Sequence, residues 1–367
     1  MTQADANRPV RVIVVDDSKL MRSMISAGLR ADGTIEVIAE AADTSEARRL
    51  IRTLNPDVIT LDVEMPGMDG IAFLRKIMDL RPMPVIMVST LTAAGTDVSI
   101  AALQIGAVDA LPKPSGREEV AVFGKALRDK VHLAARARVG RNSAARPETR
   151  AAQPSAMPPP RPPSARRAGF GACDLIAIGA STGGVGALSE VLEHLPPNTP
   201  PIIITQHMPA LFTSRFAARL NNVLPHGVSE ATDGEVLRPG EIRIAPGERH
   251  ITVVRGGNGI AISFDDSGAI SGHKPSVDVM FNSVSTVLGA RAMGVILTGM
   301  GRDGAAGLRA MHNAGAFCIG QNEESCVVYG MPRAARELGA VDEELDLKHI
   351  AGRIGEVLNP GSARKAV

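Results

Sequence analysis

Ser181, His207 and Asp303 each follow a short apolar run, and together they supply a nucleophile, a base and a carboxylate. The runs are Leu175–Ile178, Ile202–Ile204 and Val295–Leu297. Their shortness and β-branching predict buried parallel strands. Ligands bind outside the carboxyl ends of an open parallel sheet, so the three loops can converge on one crevice. Gly179-Ala-Ser-Thr-Gly183 fits the G-x-S-x-G nucleophile elbow, whose small flanking residues let the backbone turn sharply and expose the Ser181 hydroxyl. The Thr182 N–H and a donor near Met300 would then face the oxyanion of a tetrahedral intermediate. His207 would take the Ser181 proton and Asp303 would stabilise the imidazolium, which is acyl transfer with no metal or cofactor at this site. Each residue also has a plainer reading. Glycine-rich strand-to-helix turns cradle phosphates, a lone His after a strand is commonly structural, and Asp303 can cap the helix that follows it. All three plain readings would have to coincide at one sheet edge, which favours a serine hydrolase. The order Ser…His…Asp is not that of α/β-hydrolases, so the chemistry would stand on another scaffold.

A second group lies in the N-terminal third. Asp16-Asp17 follows one strand candidate and Asp62 ends another, so three carboxylates should meet at strand C-termini. Such a cluster is unfavourable without a cation, and hard oxygen ligands with water suit Mg²⁺. Lys113 and Ser89 follow two further strands and add a positive charge and a hydroxyl. A carboxylate acceptor, a metal and a lysine make a phosphoryl-transfer site.

These residues need two scaffolds. From about Arg11 to His132, strand candidates Val12–Val15, Glu36–Ala39, Val58–Leu61, Val85–Val88 and Val108–Leu111 alternate with helical patterns such as Ser18–Arg30 and Gly70–Leu80. Five βα repeats imply a doubly wound parallel sheet. Residues 134–170 carry eight Arg against one Glu and two proline runs, too little apolar material to fold, and read as a disordered linker. The second domain repeats the βα pattern but is interrupted by turns. Ile251–Val254 and Ile260–Phe264 flank Asn258-Gly259 as an antiparallel hairpin insertion. The expected architecture is therefore α/β, with two doubly wound, mainly parallel-sheet domains at 9–133 and 171–360. His250 and His273 lie among turns; surface placement is the expectation for both, with contact to the substrate as the alternative.

Composition narrows the function further. The 367 residues carry a net charge of +1, which excludes a strongly basic nucleic-acid footprint. Aromatic residues are 2%, so the cores must be aliphatic. Three cysteines form no even framework and fit a reducing compartment. No signal layout and no run of membrane-spanning length is present, so a cytoplasmic protein without membrane insertion is expected.

Val14-Val-Asp-Asp-Ser18, Leu61-Asp-Val-Glu-Met-Pro-Gly-Met-Asp-Gly70, Met87-Val-Ser89 and Lys113-Pro114 resemble the receiver domain of two-component response regulators. That resemblance implies Asp62 as phosphate acceptor from a histidine kinase, with Asp16, Asp17, Asp62 and the Glu64 carbonyl serving Mg²⁺. It also implies that Ser89 and Lys113 answer the phosphoryl group. One departure is Ala110, three positions before the lysine, where many receivers carry an aromatic switch residue. Ile178-Gly-Ala-Ser-Thr-Gly-Gly184, Gln206-His-Met-Pro209, Lys274-Pro-Ser-Val-Asp278 and Thr298-Gly-Met-Gly-Arg-Asp-Gly304 resemble the effector domain of bacterial chemotaxis protein-glutamate methylesterases. This resemblance implies hydrolysis of glutamyl methyl esters on methyl-accepting chemoreceptors, with methanol released, and deamidation of certain receptor glutamines. It assigns catalysis to Ser181, His207 and Asp303 and the oxyanion position to Thr182 and Met300. It further implies that the unphosphorylated receiver covers the esterase crevice and that phosphorylation releases it.

Three other functions compete. A nucleic-acid-binding output would need a helix-turn-helix pattern and a basic stripe, which the second domain lacks. A hydrolase wired to a pathway other than chemotaxis would keep the chemistry and change only the protein substrate. A stoichiometric adaptor would not need Ser181.

Overall fold

The computed structural model of the chain describes residues 8–65, 70–90, 92–116, 118–140 and 173–359. The expected linker residues 141–170, and Pro66–Asp69 of the acidic motif, lie outside the described residues. The first unit has strands β1 (Val10–Val15), β2 (Ile35–Ala41), β3 (Val58–Asp62), β4 (Val85–Ser89) and β5 (Asp109–Pro112). They alternate with α1 (Lys19–Arg30), α2 (Thr44–Leu54), α3 (Gly70–Leu80), α4 (Ala93–Ile105) and α5 (Glu119–Ala134). All pairings are parallel in the order β2-β1-β3-β4-β5, the doubly wound arrangement that the βα repeats predict. Its winding reverses beside β1, so the C-termini of β1 and β3 bring Asp16 and Asp62 together.

The second unit continues with β6 (Leu175–Ala180), α6 (Gly184–Glu193), β7 (Ile202–Gln206), α7 (Ala210–Val223), β8 (Gly227–Glu230), β9 (Glu241–Ile244), β10 (His250–Gly256) and β11 (Gly259–Asp265). It ends with α8 (Val277–Leu288), β12 (Ala292–Ile296), α9 (Ala305–Asn313), β13 (Phe317–Gln321), α10 (Met331–Glu337), β14 (Glu343–Leu345) and α11 (Leu347–Leu358). Seven strands form one parallel sheet in the order β14-β13-β12-β6-β7-β9-β8. β10 and β11 pair antiparallel as a separate hairpin, as Asn258-Gly259 predicts. The turn-rich stretch also holds two short strands, β9 and the edge strand β8, that extend the main sheet.

Alternation along the central strands explains why helices cover both faces. Ile176, Ile178, Ile202 and Ile204 enter one apolar layer, while Leu175, Ala177 and Ile203 enter the other. Each fully buried aliphatic side chain contributes roughly 1.5–3 kcal/mol, which lets a chain with no Trp and one Tyr hold two cores. β12, β6 and β7 are adjacent, and the winding direction reverses at β6. That is the crevice position for a parallel sheet. Among the described residues, no helix is long and apolar enough to cross a membrane.

Candidate active site

Ser181 follows β6 in a turn closed by the Gly184 N–H donating to the Ser181 carbonyl at 2.7 Å. Gly183, third in that turn, has φ +77° and ψ −3°, the left-handed geometry of a type II turn. A Cβ at Gly183 would also come within 2.6 Å of Val327, so glycine is required twice over. Across the crevice, a Cβ at Gly299 would meet the Ser181 Cβ at 2.7 Å. The elbow is therefore a packed turn whose tip presents a hydroxyl.

His207 lies one residue beyond β7, with its Nδ1 3.2 Å from Ser181 Oγ and its Nε2 2.8 Å from Asp303 Oδ2. Asp303 is buried, yet it does not cap the helix that follows it. Its carboxylate accepts from the Ser276 hydroxyl at 2.8 Å, the Val277 N–H at 2.7 Å and the Asp278 N–H at 3.1 Å. These are the opening residues of α8, so the anion sits on a helix N-terminus. Burial pushes the Asp303 carboxyl up, but hydrogen bonds from His207, Ser276 and the two amides outweigh it and hold the pKa at about 2. The capping is reciprocal: Asp278, in the first turn of α8, accepts from the Gly307 N–H of α9 at 2.7 Å. An ionised Asp303 fixes the tautomer. Nε2 carries the proton and Nδ1 is left as the acceptor facing Ser181, the reverse of the ring orientation in chymotrypsin-type triads. The N–H groups of Thr182 and Met300 donate no hydrogen bond among the described residues, and Met300 is 51% exposed at the rim.

The first unit walls this crevice. A cavity of about 360 Å³ lies between Ser181, His207 and Met300 on one side and Asp109, Ala110 and Pro112 of β5 on the other. Asp109 Oδ2 accepts a long hydrogen bond of 3.4 Å from the Thr182 hydroxyl. α4 packs on α6 and α7, where Gln104 donates to Ser189 at 3.0 Å and Arg215 pairs with Asp97 at 3.5 Å. Beyond α5, Arg138 reaches Glu323 at 2.7 Å.

The carboxylate cluster forms as well. Oxygens of Asp16, Asp17 and Asp62 lie within 4.8 Å of one another, with Asp16 and Asp62 buried and Asp17 exposed. Lys113 Nζ is 2.8 Å from both Asp16 Oδ2 and Asp62 Oδ2. Burial raises the Asp62 pKa, against the pull of Lys113 and with the help of Asp16. Burial alone would lower Lys113, but the two carboxylates hold it raised. One ammonium cannot neutralise three carboxylates, so the all-oxygen donor set fits Mg²⁺. Glu64 donates its backbone N–H to Asp62 at 3.2 Å, and Ser89 is buried with its hydroxyl 2.7 Å from Ser99 on α4.

Residues 12–122 match the response regulator receiver domain family, and residues 176–354 match the CheB methylesterase family. A protein-glutamate methylesterase/protein-glutamine glutaminase of Agrobacterium fabrum is 53% identical over 356 residues, covering 97% of both chains. The chain belongs to the CheB methylesterase family. A relative of the same name from Salmonella typhimurium is 46% identical over 358 residues, covering 96% of this chain and 98% of its own. The crystal structure of the Thermotoga maritima CheB methylesterase catalytic domain shares 35% identity and a TM-score of 0.50, over 51% of this chain and 99% of that one.

Within this CheB methylesterase chain, both histidines expected at the surface are placed otherwise. His250 is fully buried; its Nδ1 accepts from the Ser276 N–H at 2.9 Å and its Nε2 donates to the Gly268 carbonyl at 3.1 Å. That bond ties the β10–β11 hairpin to the residue that holds Asp303. His273 is partly buried and stacks on His207 with ring centroids 4.1 Å apart. Burial, then the neighbouring His207, lower its pKa. Ser276 could have been found as the helix-start residue of Lys274-Pro-Ser-Val-Asp278, but nothing local in the sequence ties it to Asp303.

Proposed function

We propose that this chain is a phosphorylation-regulated carboxylic-ester hydrolase that removes methyl groups from glutamyl methyl esters on chemoreceptors and deamidates receptor glutamines, for chemotactic adaptation. The names of its relatives and its two matched families support the activity and the regulation. The observation that carries the mechanism is the relay from Ser181 through His207 to Asp303, anchored on the N-terminus of α8.

Ser181 is the nucleophile. Its hydroxyl proton passes to His207 Nδ1 as Oγ attacks the side-chain carbonyl carbon of the substrate, and Asp303 stabilises the imidazolium. The amides of Thr182 and Met300 stabilise the oxyanion. His207 then returns the proton to the departing methoxide, or to the departing amine of a glutamine, so methanol or ammonia leaves and an acyl-enzyme remains. Water, deprotonated by His207, attacks that ester, and the proton goes back to Ser181 Oγ as the carboxylate is freed. No step at this site calls on a metal.

In the same reading, residues 9–133 are the switch, 171–360 the catalyst and 134–170 the tether. Asp62 accepts a phosphoryl group from a histidine kinase. Asp16, Asp17, Asp62 and the Glu64 carbonyl would hold Mg²⁺, which would neutralise charge on the transferring phosphoryl group. Lys113 moves from its carboxylate partners to the phosphoryl oxygens, and Ser89 exchanges Ser99 for the same group. The wall that β5 places on the crevice restrains the unphosphorylated enzyme. Free thiols at Cys173, Cys318 and Cys326 support a cytoplasmic location.

The test is methanol release from methyl-labelled receptor membranes, with and without a small-molecule phosphodonor and Mg²⁺, beside Ser181→Ala. Stimulated release that vanishes in the variant is expected. A wild type that releases nothing would send the search to other protein esters.

A further inference from the structure

We infer that Gln206 is a positioning residue for the reaction proposed above, acting on the peptide that carries the Thr182 oxyanion donor. Gln206 ends β7 and is 3% exposed. Its Nε2 donates to the Ser181 carbonyl at 2.9 Å and to the His207 carbonyl at 3.2 Å. Both partners are acceptors, so the amino end of the amide must face them. Oε1 is then stranded: among the described residues it is buried without a hydrogen-bond partner, and it sits where a Cβ on Gly184 would come within 2.1 Å. A buried, unsatisfied acceptor is unfavourable, and flipping the amide would be worse, setting Oε1 against two carbonyls.

The bond to Ser181 is not needed to close the turn. That carbonyl already accepts from the Gly184 N–H at 2.7 Å. What the second donor fixes is direction. The Ser181 carbonyl and the Thr182 N–H belong to one planar trans peptide and point to opposite sides of it. Two donors held on the oxygen therefore aim the N–H, and they polarise it into a stronger donor. The other bond ties the His207 backbone to the same carboxamide, so one side chain sets the oxyanion donor against the base.

The inference rests on Ser181 as nucleophile, and the experiment separates the two. The full-length chain, with phosphodonor and Mg²⁺, is assayed for methanol release and for the rate at which a fluorophosphonate labels Ser181. Gln206→Met keeps length and volume but removes both donors. Losing one oxyanion donor outright costs about 10²–10³ in kcat, so loss of its aim should lower kcat and the labelling rate about tenfold or more, with KM within about twofold. Gln206→Glu adds a readout that space-filling cannot imitate. Its carboxylate faces two carbonyls at neutral pH, but once protonated it donates to one of them. Its activity relative to wild type should therefore climb as pH falls.

Met serving as well as Gln, with a flat Glu-to-wild-type ratio across pH, would overturn the inference. If the Met variant does not fold, the pH ratio of the Glu variant decides alone. A wild type that neither releases methanol nor takes the label would fell the nucleophile assignment, and this inference with it. A wild type that takes the label but releases no methanol leaves the labelling rates to decide on Gln206.

Discussion

Asp109 of the receiver and Thr182, next to Ser181, meet at 3.4 Å, carboxylate against hydroxyl, across the cleft between the two units. The same Asp109 oxygen is paired with Lys130 at 2.6 Å, so the carboxylate is pinned from its own side while it touches the other. A contact this long is worth about 0.5–1 kcal/mol, or roughly a two- to fivefold change in an equilibrium. Asp109→Ala should raise methanol release in the absence of phosphodonor by about that factor and leave the stimulated maximum unchanged. An unaltered basal rate would remove Asp109 from the restraint.

Asp303 links chemistry to acid stability. Its folded pKa of about 2 lies below the unfolded carboxylate value near 3.8. A depressed acid stabilises the fold above the unfolded pKa, and that contribution disappears as pH falls through the folded pKa. The span corresponds to roughly 2 kcal/mol, about half of it gone by pH 3. Urea unfolding of wild type and Asp303→Asn should therefore show a stability gap that narrows by about 1 kcal/mol between pH 5 and pH 3. A constant gap would mean that Asp303 is not held ionised by its four donors.

The acidic cluster makes a prediction that needs no phosphate. A ligand that binds only the folded protein stabilises it by RT ln(1 + [L]/Kd), about 1.4 kcal/mol at ten times Kd. Mg²⁺ should raise the first melting transition of wild type by a few degrees and do nothing of the kind for Asp16→Asn. Calorimetry with Ca²⁺ as a second cation checks selectivity. Equal shifts in wild type and variant would place the ion elsewhere.

Asp62→Asn tests the acceptor. The variant keeps a similar shape beside Lys113 and cannot form an acyl phosphate with the donor. It should show low esterase activity that neither phosphodonor nor Mg²⁺ increases. Activation by phosphodonor would overturn the assignment of Asp62.

The strands and the residues at their ends were legible because both sheets are parallel and buried on two faces. Short runs such as Leu175–Ile178 and Ile202–Ile204 are read from composition alone. Gly183 was legible as a small residue flanking the elbow, while its positive φ in a type II turn came only with the structure. The support for Asp303 was hidden. Its donors come from the start of α8, some 26 residues upstream, and no local pattern links the two. His250 was misread for a related reason: it opens a strand that packs on α8, and burial of a hairpin face is set by its tertiary neighbour. The wall that β5 lends to the crevice is a relation between two separately folded sheets. It leaves no periodicity in either, although Ala110 was conspicuous as a small residue where many receivers carry an aromatic ring.

The mutual capping of α8 and α9 bears on how a silent copy of this enzyme should be made. Asp303 accepts from the opening amides of α8, and Asp278 of α8 accepts from the Gly307 amide of α9, so a substitution at Asp303 takes a carboxylate from His207 and from the start of α8 at once. Ser181 has no such second duty in its hydroxyl, which among the described residues meets only His207. Under the proposed function, the serine is therefore the residue to change for an inactive protein whose fold is left intact.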